Sequence, residues 1–318
     1  MSEPNDQLEL TPPSKRFSRR RLLRLAAGSS LGLLATAVTG YELVEHGVVP
    51  GKFTLDKLFG NCSVPQPQLL FDPVGPTKSG TFYSKSRRKV VGYTVAWPPG
   101  HGVGSLVPLV VMLHGFGGNH LGTTSGMRPA QLVALRENNR SLPPMALVTV
   151  DGGGGYWHPH PNDDPMGMVV NELIPMCQSL GLGRPAQGIG ISGISMGGYG
   201  AVAIAEHYPR LFRAVAAISP AIWTSFEQSQ GTNPGAYSSR DEFRAYDAVT
   251  HAAALTSIPV RVASGFSDPF HDGVVALAQQ LPRSAEVVFS AGCHTGAFFT
   301  AEEPPTMAFL GRYLGSAS

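Results

Sequence analysis

Gly193-Ile194-Ser195-Met196-Gly197 lies between an apolar run, 189–194, and a stretch rich in alanine. A serine on such a strand-to-helix turn has its hydroxyl held out at the carboxyl edge of a sheet. Glycine two residues to either side lets strand and helix approach without a clash. Met196 is then the first helical residue: its N–H points to where a tetrahedral oxyanion would form, and the helix dipole adds partial positive charge there. The chemistry this suits is nucleophilic attack by Ser195 on a carbonyl carbon. With 38 glycines in 318 residues, the same pentapeptide also arises as an ordinary turn with a surface serine, so the partners of Ser195 must decide.

An activated serine needs a base, and the base needs an acid to fix its tautomer. In an α/β hydrolase both follow the serine, acid first, each on the loop after a later strand. Residues 259–265 read as a short buried strand and 266–273 as the loop leaving it, which puts Asp268 at the acid position. Residues 285–290 are the next strand, and His294 lies in the turn 291–296 behind it. His294 can take the proton from Ser195 while Asp268 stabilises the imidazolium and need not itself be protonated. Asp272, beside His271, is the rival acid, but this pair opens the apolar helix 273–281, where a carboxylate is explained as a cap or first-turn charge. His207 and His251 follow no plausible sheet strand.

The second oxyanion donor is expected from the loop after an earlier strand. The near-continuous apolar run 106–113 is that strand, and Gly115, Gly117 and Gly118 permit backbone angles that turn the Phe116 amide inward. A tight turn without chemistry is the competing explanation. A phosphate-cradling loop fits less well, because no lysine follows the glycines.

Residues 153–164 follow the strand 146–150 and should overhang the site. Tyr156 and Trp157 offer flat apolar surface for an aryl, acyl or sugar group, and His158 offers a donor to a substrate oxygen. A structured surface loop without substrate contact fits the same residues equally. His158, His160, Asp163 and Asp164 are of metal-ligating types. Pro159 and Pro161 hold the backbone extended, however, and the spacing matches no established ligand set, so no metal is expected.

The elements that must position these groups are apolar strands alternating with helices, the pattern of one α/β domain over 89–318 with a mostly parallel central sheet and helices on both faces. Residues 41–88 carry prolines at 50, 65, 67, 73 and 76, have little helical period, and read as an N-terminal extension or linker. Three cysteines allow at most one disulfide. Cys62 with Cys293 is the pairing to test, since Cys177 falls in the apolar helix 169–182, and three free thiols are the alternative.

The ordered set His-Gly-Phe-Gly-Gly at 114–118, Asp-Gly-Gly-Gly at 151–154, Asn-Glu-Leu-Ile-Pro at 171–175, the serine segment 190–201, Asp268 and Gly-Cys-His at 292–294 resembles the putative-esterase family of α/β hydrolases. S-formylglutathione hydrolase (esterase D), feruloyl esterases and mycobacterial mycolyltransferases belong to it. The resemblance spans roughly residues 88 to 314 and implies an α/β-hydrolase fold, a triad of Ser195, Asp268 and His294, and an oxyanion hole from the amides of Phe116 and Met196. It is closer to the esterase branch than to the mycolyltransferases, since no long acyl-tunnel segment is found. The stretch 153–164 looks peculiar to this chain.

Ser18-Arg19-Arg20-Arg21-Leu22-Leu23-Arg24 matches a twin-arginine export signature and precedes a short apolar stretch, 25–38, rich in Ala, Gly and Leu. That stretch is shorter than the ~20 residues a membrane-spanning helix needs, which favours a signal peptide within 1–40 over a permanent anchor. Residues 35–37 (Ala-Thr-Ala) are a candidate cleavage site, and an uncleaved leader would serve as a membrane tether. The export machinery is thus one expected partner, with location outside the cytoplasm or at the cell envelope. The net charge of +2, partly carried by the leader arginines, gives no electrostatic support to a nucleic-acid partner.

The sequence therefore points to an exported serine carboxylesterase acting on a small-molecule or lipid ester through an acyl-enzyme, with no cofactor required. Acyl transfer to a sugar or lipid alcohol would use the same residues. A non-catalytic envelope-binding protein on the same fold would be marked by loss of a triad member, and none is lost.

Overall fold

The computed structural model describes residues 62–122 and 125–315, so the leader and the first part of the expected extension, 41–61, lie outside the described residues. Eight strands form one sheet: β1 (Thr77–Ser84), β2 (Lys89–Ala96), β3 (Leu109–Leu113), β4 (Ala146–Val150), β5 (Ile189–Ile194), β6 (Ala214–Ile218), β7 (Val260–Gly265) and β8 (Glu286–Ser290). Their spatial order is β1-β2-β4-β3-β5-β6-β7-β8. Strand β2 runs antiparallel to both neighbours, and all pairs from β4 to β8 are parallel. This is the α/β-hydrolase fold. Residues 77–88, read from sequence within an extension, supply the edge strand β1 and the turn into β2.

The central strands are buried on every residue and predominantly apolar because both sheet faces are covered, as parallel sheets require. In β3, Leu109, Val111 and Leu113 enter one core with β4, β5 and the helix α1 (Met196–His207). Val110 and Met112 enter the other core, against Met307, Phe309 and Leu310 of α4 (Gly296–Leu314). The period-2 alternation of side chains thus divides one strand between two cores. Further helices named below are α2 (Arg240–Ala245) and α3 (His271–Gln280). The helix expected over 169–182 is broken into Pro165–Met168, a π-helical turn Val169–Leu173, and Ile174–Ser179. Cys177 is buried there as a free thiol, and Cys62 is bonded to Cys293. Among the described residues no helix is long and apolar enough to cross a membrane.

Candidate active site

Ser195 caps α1 with φ 58° and ψ −119°, a conformation an L-residue adopts only when its surroundings impose it, at a cost of about 1–3 kcal/mol. Those surroundings are visible: Ser195 N–H donates to Ile218 O (2.9 Å), and Ser195 O accepts from Tyr199 and Ala221 (both 3.0 Å). Glycine is demanded on either side. A Cβ at Gly193 would run into the Gly197 carbonyl, and one at Gly197 into the carbonyls of Leu113 and His114. Gly197→Ala is therefore expected to push α1 off the end of β3 and cost about 3 kcal/mol by overpacking, read as a lowered midpoint of chemical unfolding. A parental midpoint would show that the close approach is not required.

Ser195 remains reachable, at 8% exposure. Its Oγ donates to His294 Nε2 at 2.7 Å, and His294 Nδ1–H donates to Asp268 Oδ2 at 2.9 Å. The tautomer follows from the carboxylate, which only accepts and so draws the ring proton to Nδ1. Asp268 is fully buried, and its other oxygen accepts from Phe270 N (2.9 Å). The acid and base loops are bound to each other: Phe266 N donates to Ser290 O (2.8 Å) and Ser267 N to Gly292 O (3.0 Å). His294 is wedged between the rings of Phe270 and Phe299 and follows the disulfide-bonded Cys293 directly. Asp272 is exposed in the first turn of α3, where its charge suits the helix dipole.

Met196, first residue of α1, has no acceptor in a preceding helical turn for its N–H. The Phe116 N–H lies in the turn after β3 and donates to no group among the described residues. Two features hold that turn. Gly197 seats α1 against Leu113 and His114, and His114 ties the turn to the loop after β4. His114 Nδ1–H donates to Gly115 O (2.8 Å), its Nε2 accepts from Gly152 N–H (2.9 Å), and its carbonyl accepts from Trp157 Nε1 (3.2 Å). Burial lowers the His114 pKa, so the ring stays neutral and serves as donor and acceptor at once. His114 was visible only as part of a motif; nothing in its type or spacing indicated this positioning role.

The expectation that Tyr156, Trp157 and His158 form a substrate wall needs correction. Trp157 and His158 are fully buried and Tyr156 is 4% exposed. Trp157 packs on the elbow helix, in space that a Cβ at Gly200 would fill. His158 stacks between Tyr237 and Tyr246 (ring centroids 4.9 and 4.8 Å), and burial brings its pKa down to about 4. Burial pushes the Tyr156 hydroxyl pKa up to about 12. Tyr156 and Trp157 both hold left-handed backbone, φ 51° and 62°. That reversal of direction turns the loop's aromatic residues into the core, where their apolar area is removed from water. The exposed aromatic residues on the loops carrying the site are Phe116 and Phe266.

A nucleophile-type serine on a strained elbow, hydrogen-bonded to a histidine that bonds a buried aspartate, on this sheet order, defines the serine-hydrolase class of α/β proteins. Residues 84–291, more than half of the chain, match the profile of a family described as Putative esterase, and the chain belongs to that family. Among similar solved structures are a ferulic acid esterase (20% identity, TM-score 0.63, covering 75% of this chain and 98% of that one) and the S-formylglutathione hydrolase of Agrobacterium tumefaciens (17%, 0.59, 79% and 100%). The enterobactin esterase of Shigella flexneri is another (17%, 0.58, 76% and 60%). At these identities the likeness is one of fold. No curated protein matches the chain in sequence.

Proposed function

We propose that the protein is an exported carboxylesterase in which Ser195, His294 and Asp268 form the triad. The observation that carries this reading is the continuous chain from Ser195 Oγ through both nitrogens of His294 to Asp268. His294 Nε2 takes the Ser195 proton as Oγ bonds the ester carbonyl carbon, and the amides of Phe116 and Met196 receive the oxyanion. Collapse of the intermediate breaks the ester C–O bond, and His294 passes its proton to the departing alkoxide. Water then repeats the sequence on the acyl-enzyme and releases the acid. Asp268 holds the imidazolium through both halves.

Neighbours named as esterases support an ester substrate, and the exposed Phe116 and Phe266 suit an apolar group on it. A series of nitrophenyl esters of increasing acyl length tests the reading. It should show a burst of one nitrophenol per chain followed by slower turnover, as an accumulating acyl-enzyme gives. No release from any member would refute it.

The location proposal rests on Arg19-Arg20 ahead of the apolar stretch. Replacing both by lysine keeps the charge but removes what the twin-arginine route reads. Ester turnover is expected to stay in the cytoplasmic fraction for the double-lysine protein and to leave it for the parent. Equal export of both would rule this route out.

A further inference from the structure

The loop after β4 carries a side-chain cluster that the esterase chemistry does not use. His158 and His160 meet Glu242 of α2: His160 Nδ1 lies 2.8 Å and His158 Nδ1 3.6 Å from the same oxygen, Glu242 Oε1. One possible ligand atom from each of the three side chains lies within 4.8 Å of the other two.

The second nitrogen of each ring is already committed. His158 Nε2 lies 2.8 Å from Ala236 O, and His160 Nε2 lies 2.6 Å from Gly155 O. A carbonyl only accepts, so both Nε2 atoms carry the ring proton. A neutral imidazole then presents a bare lone pair at Nδ1. Glu242 Oε1 is buried, and no N–H or O–H among the described residues is aligned on it in spite of the short approach of His160. Glu242 Oε2 is held by the Ser238 amide (2.6 Å) and the Ser238 hydroxyl. His158 Nδ1 also faces a carbonyl, Pro159 O at 3.2 Å; a neutral ring has one proton, and the shorter contact at Nε2 takes it, which leaves Pro159 O as another electron pair beside Nδ1. With both rings neutral, lone pairs converge on one small space, an arrangement that is repulsive unless a proton or a metal cation joins them.

We infer that His158 Nδ1, His160 Nδ1 and Glu242 Oε1 bind one divalent transition-metal ion of the zinc class. Two imidazoles and a carboxylate suit zinc, with a fourth position left for water. Bonds of ~2.0–2.2 Å in a tetrahedral arrangement set the ligand atoms roughly 3.3–3.5 Å apart, so the 2.8 and 3.6 Å spacings to Glu242 Oε1 need shifts of only part of an ångström, and the two imidazoles close on each other from no more than 4.8 Å. The carbonyls on both Nε2 protons are the outer partners that orient metal-ligating histidines. The ligands are also held from behind. His160 and Asp163 exchange backbone hydrogen bonds, Arg87 and Lys89 grip the Asp163 carboxylate, and Ser239 caps α2. The ion would pin the loop that carries Trp157 to α2, as a structural staple apart from the triad.

Chain freed of metal by chelation and carrying no histidine tag is dialysed against zinc, and bound metal is counted per chain. One equivalent is expected. His160→Ala and Glu242→Gln, both on the half-buried rim, should each weaken binding by about 100-fold or more. Asp241→Asn, on the exposed face of α2, should bind as the parent does. Parental ester turnover in the two ligand variants reports that they are folded. As a readout that needs no variant, cobalt in place of zinc should give intense visible absorption of a tetrahedral site. Failure of the parent to take up zinc or cobalt, as when a proton alone joins His160 to Glu242, would overturn the inference. So would ligand variants that bind as tightly as the parent.

Discussion

Ser195→Ala is expected to lower ester turnover by a factor on the order of 10⁶, as removal of the nucleophile does in well-studied triads, and to abolish labelling by a fluorophosphonate. The fold should survive. Among the described residues Ser195 Oγ bonds only His294, and alanine fits the strained elbow as well as serine because the backbone bonds to Ile218, Tyr199 and Ala221 are unchanged. The unfolding midpoint should therefore move by no more than about 0.5 kcal/mol in stability. Turnover near the parental level in a folded Ser195→Ala protein would remove Ser195 from the chemistry and with it the hydrolase mechanism.

Asp268→Asn should reduce turnover by about 10⁴-fold, and the structure supplies the reason. The Phe270 N–H donates to one side-chain oxygen of residue 268. An asparagine keeps its carbonyl oxygen there and must turn its NH₂ toward His294 Nδ1. Nδ1 then has to accept, the ring proton moves to Nε2, and Nε2 can no longer take the Ser195 proton. Steady-state kinetics should place the loss in kcat. Asp272→Asn, on an exposed first turn, should leave kcat within a factor of two or so of the parent, because a solvent-screened helix-dipole charge contributes only a few tenths of a kcal/mol. A larger loss for Asp272→Asn than for Asp268→Asn would move the acid.

Ser195, Asp268 and His294, which the structure joins in one hydrogen-bonded chain, could be located from the sequence because each lies within a few residues of the end of a short strand. The strands were legible because a doubly covered parallel sheet reads as near-continuous apolar runs. The choice between Asp268 and Asp272 was also local, since a carboxylate in the first turn of a helix has a sufficient explanation of its own. The cysteines were harder: Cys62–Cys293 depends on Gly292 and its neighbours lying against Val64 and Phe298, a long-range packing that nothing local announces.

Loop 153–164 marks the boundary between the two kinds of information. Its composition announces aromatic rings, histidines and carboxylates beyond a strand end, and nothing local decides which way they face. Two consecutive left-handed residues, Tyr156 and Trp157, and the room left by Gly152 and Gly200 turn Trp157 and His158 inward. Spacing along the chain likewise offered Asp163 and Asp164 as companions for His158 and His160. The fold instead gives Asp163 to Arg87 and Lys89, uses Asp164 to cap the helix at Pro165, and brings in Glu242 from α2. Sequence placed most of the sheet strands and the order of Ser195, Asp268 and His294 along them, which mirrors the order of the sheet. The direction of the loop and the meeting of His158, His160 and Glu242 were decided by tertiary packing, because side-chain orientation in an irregular segment depends on what distant residues leave room for.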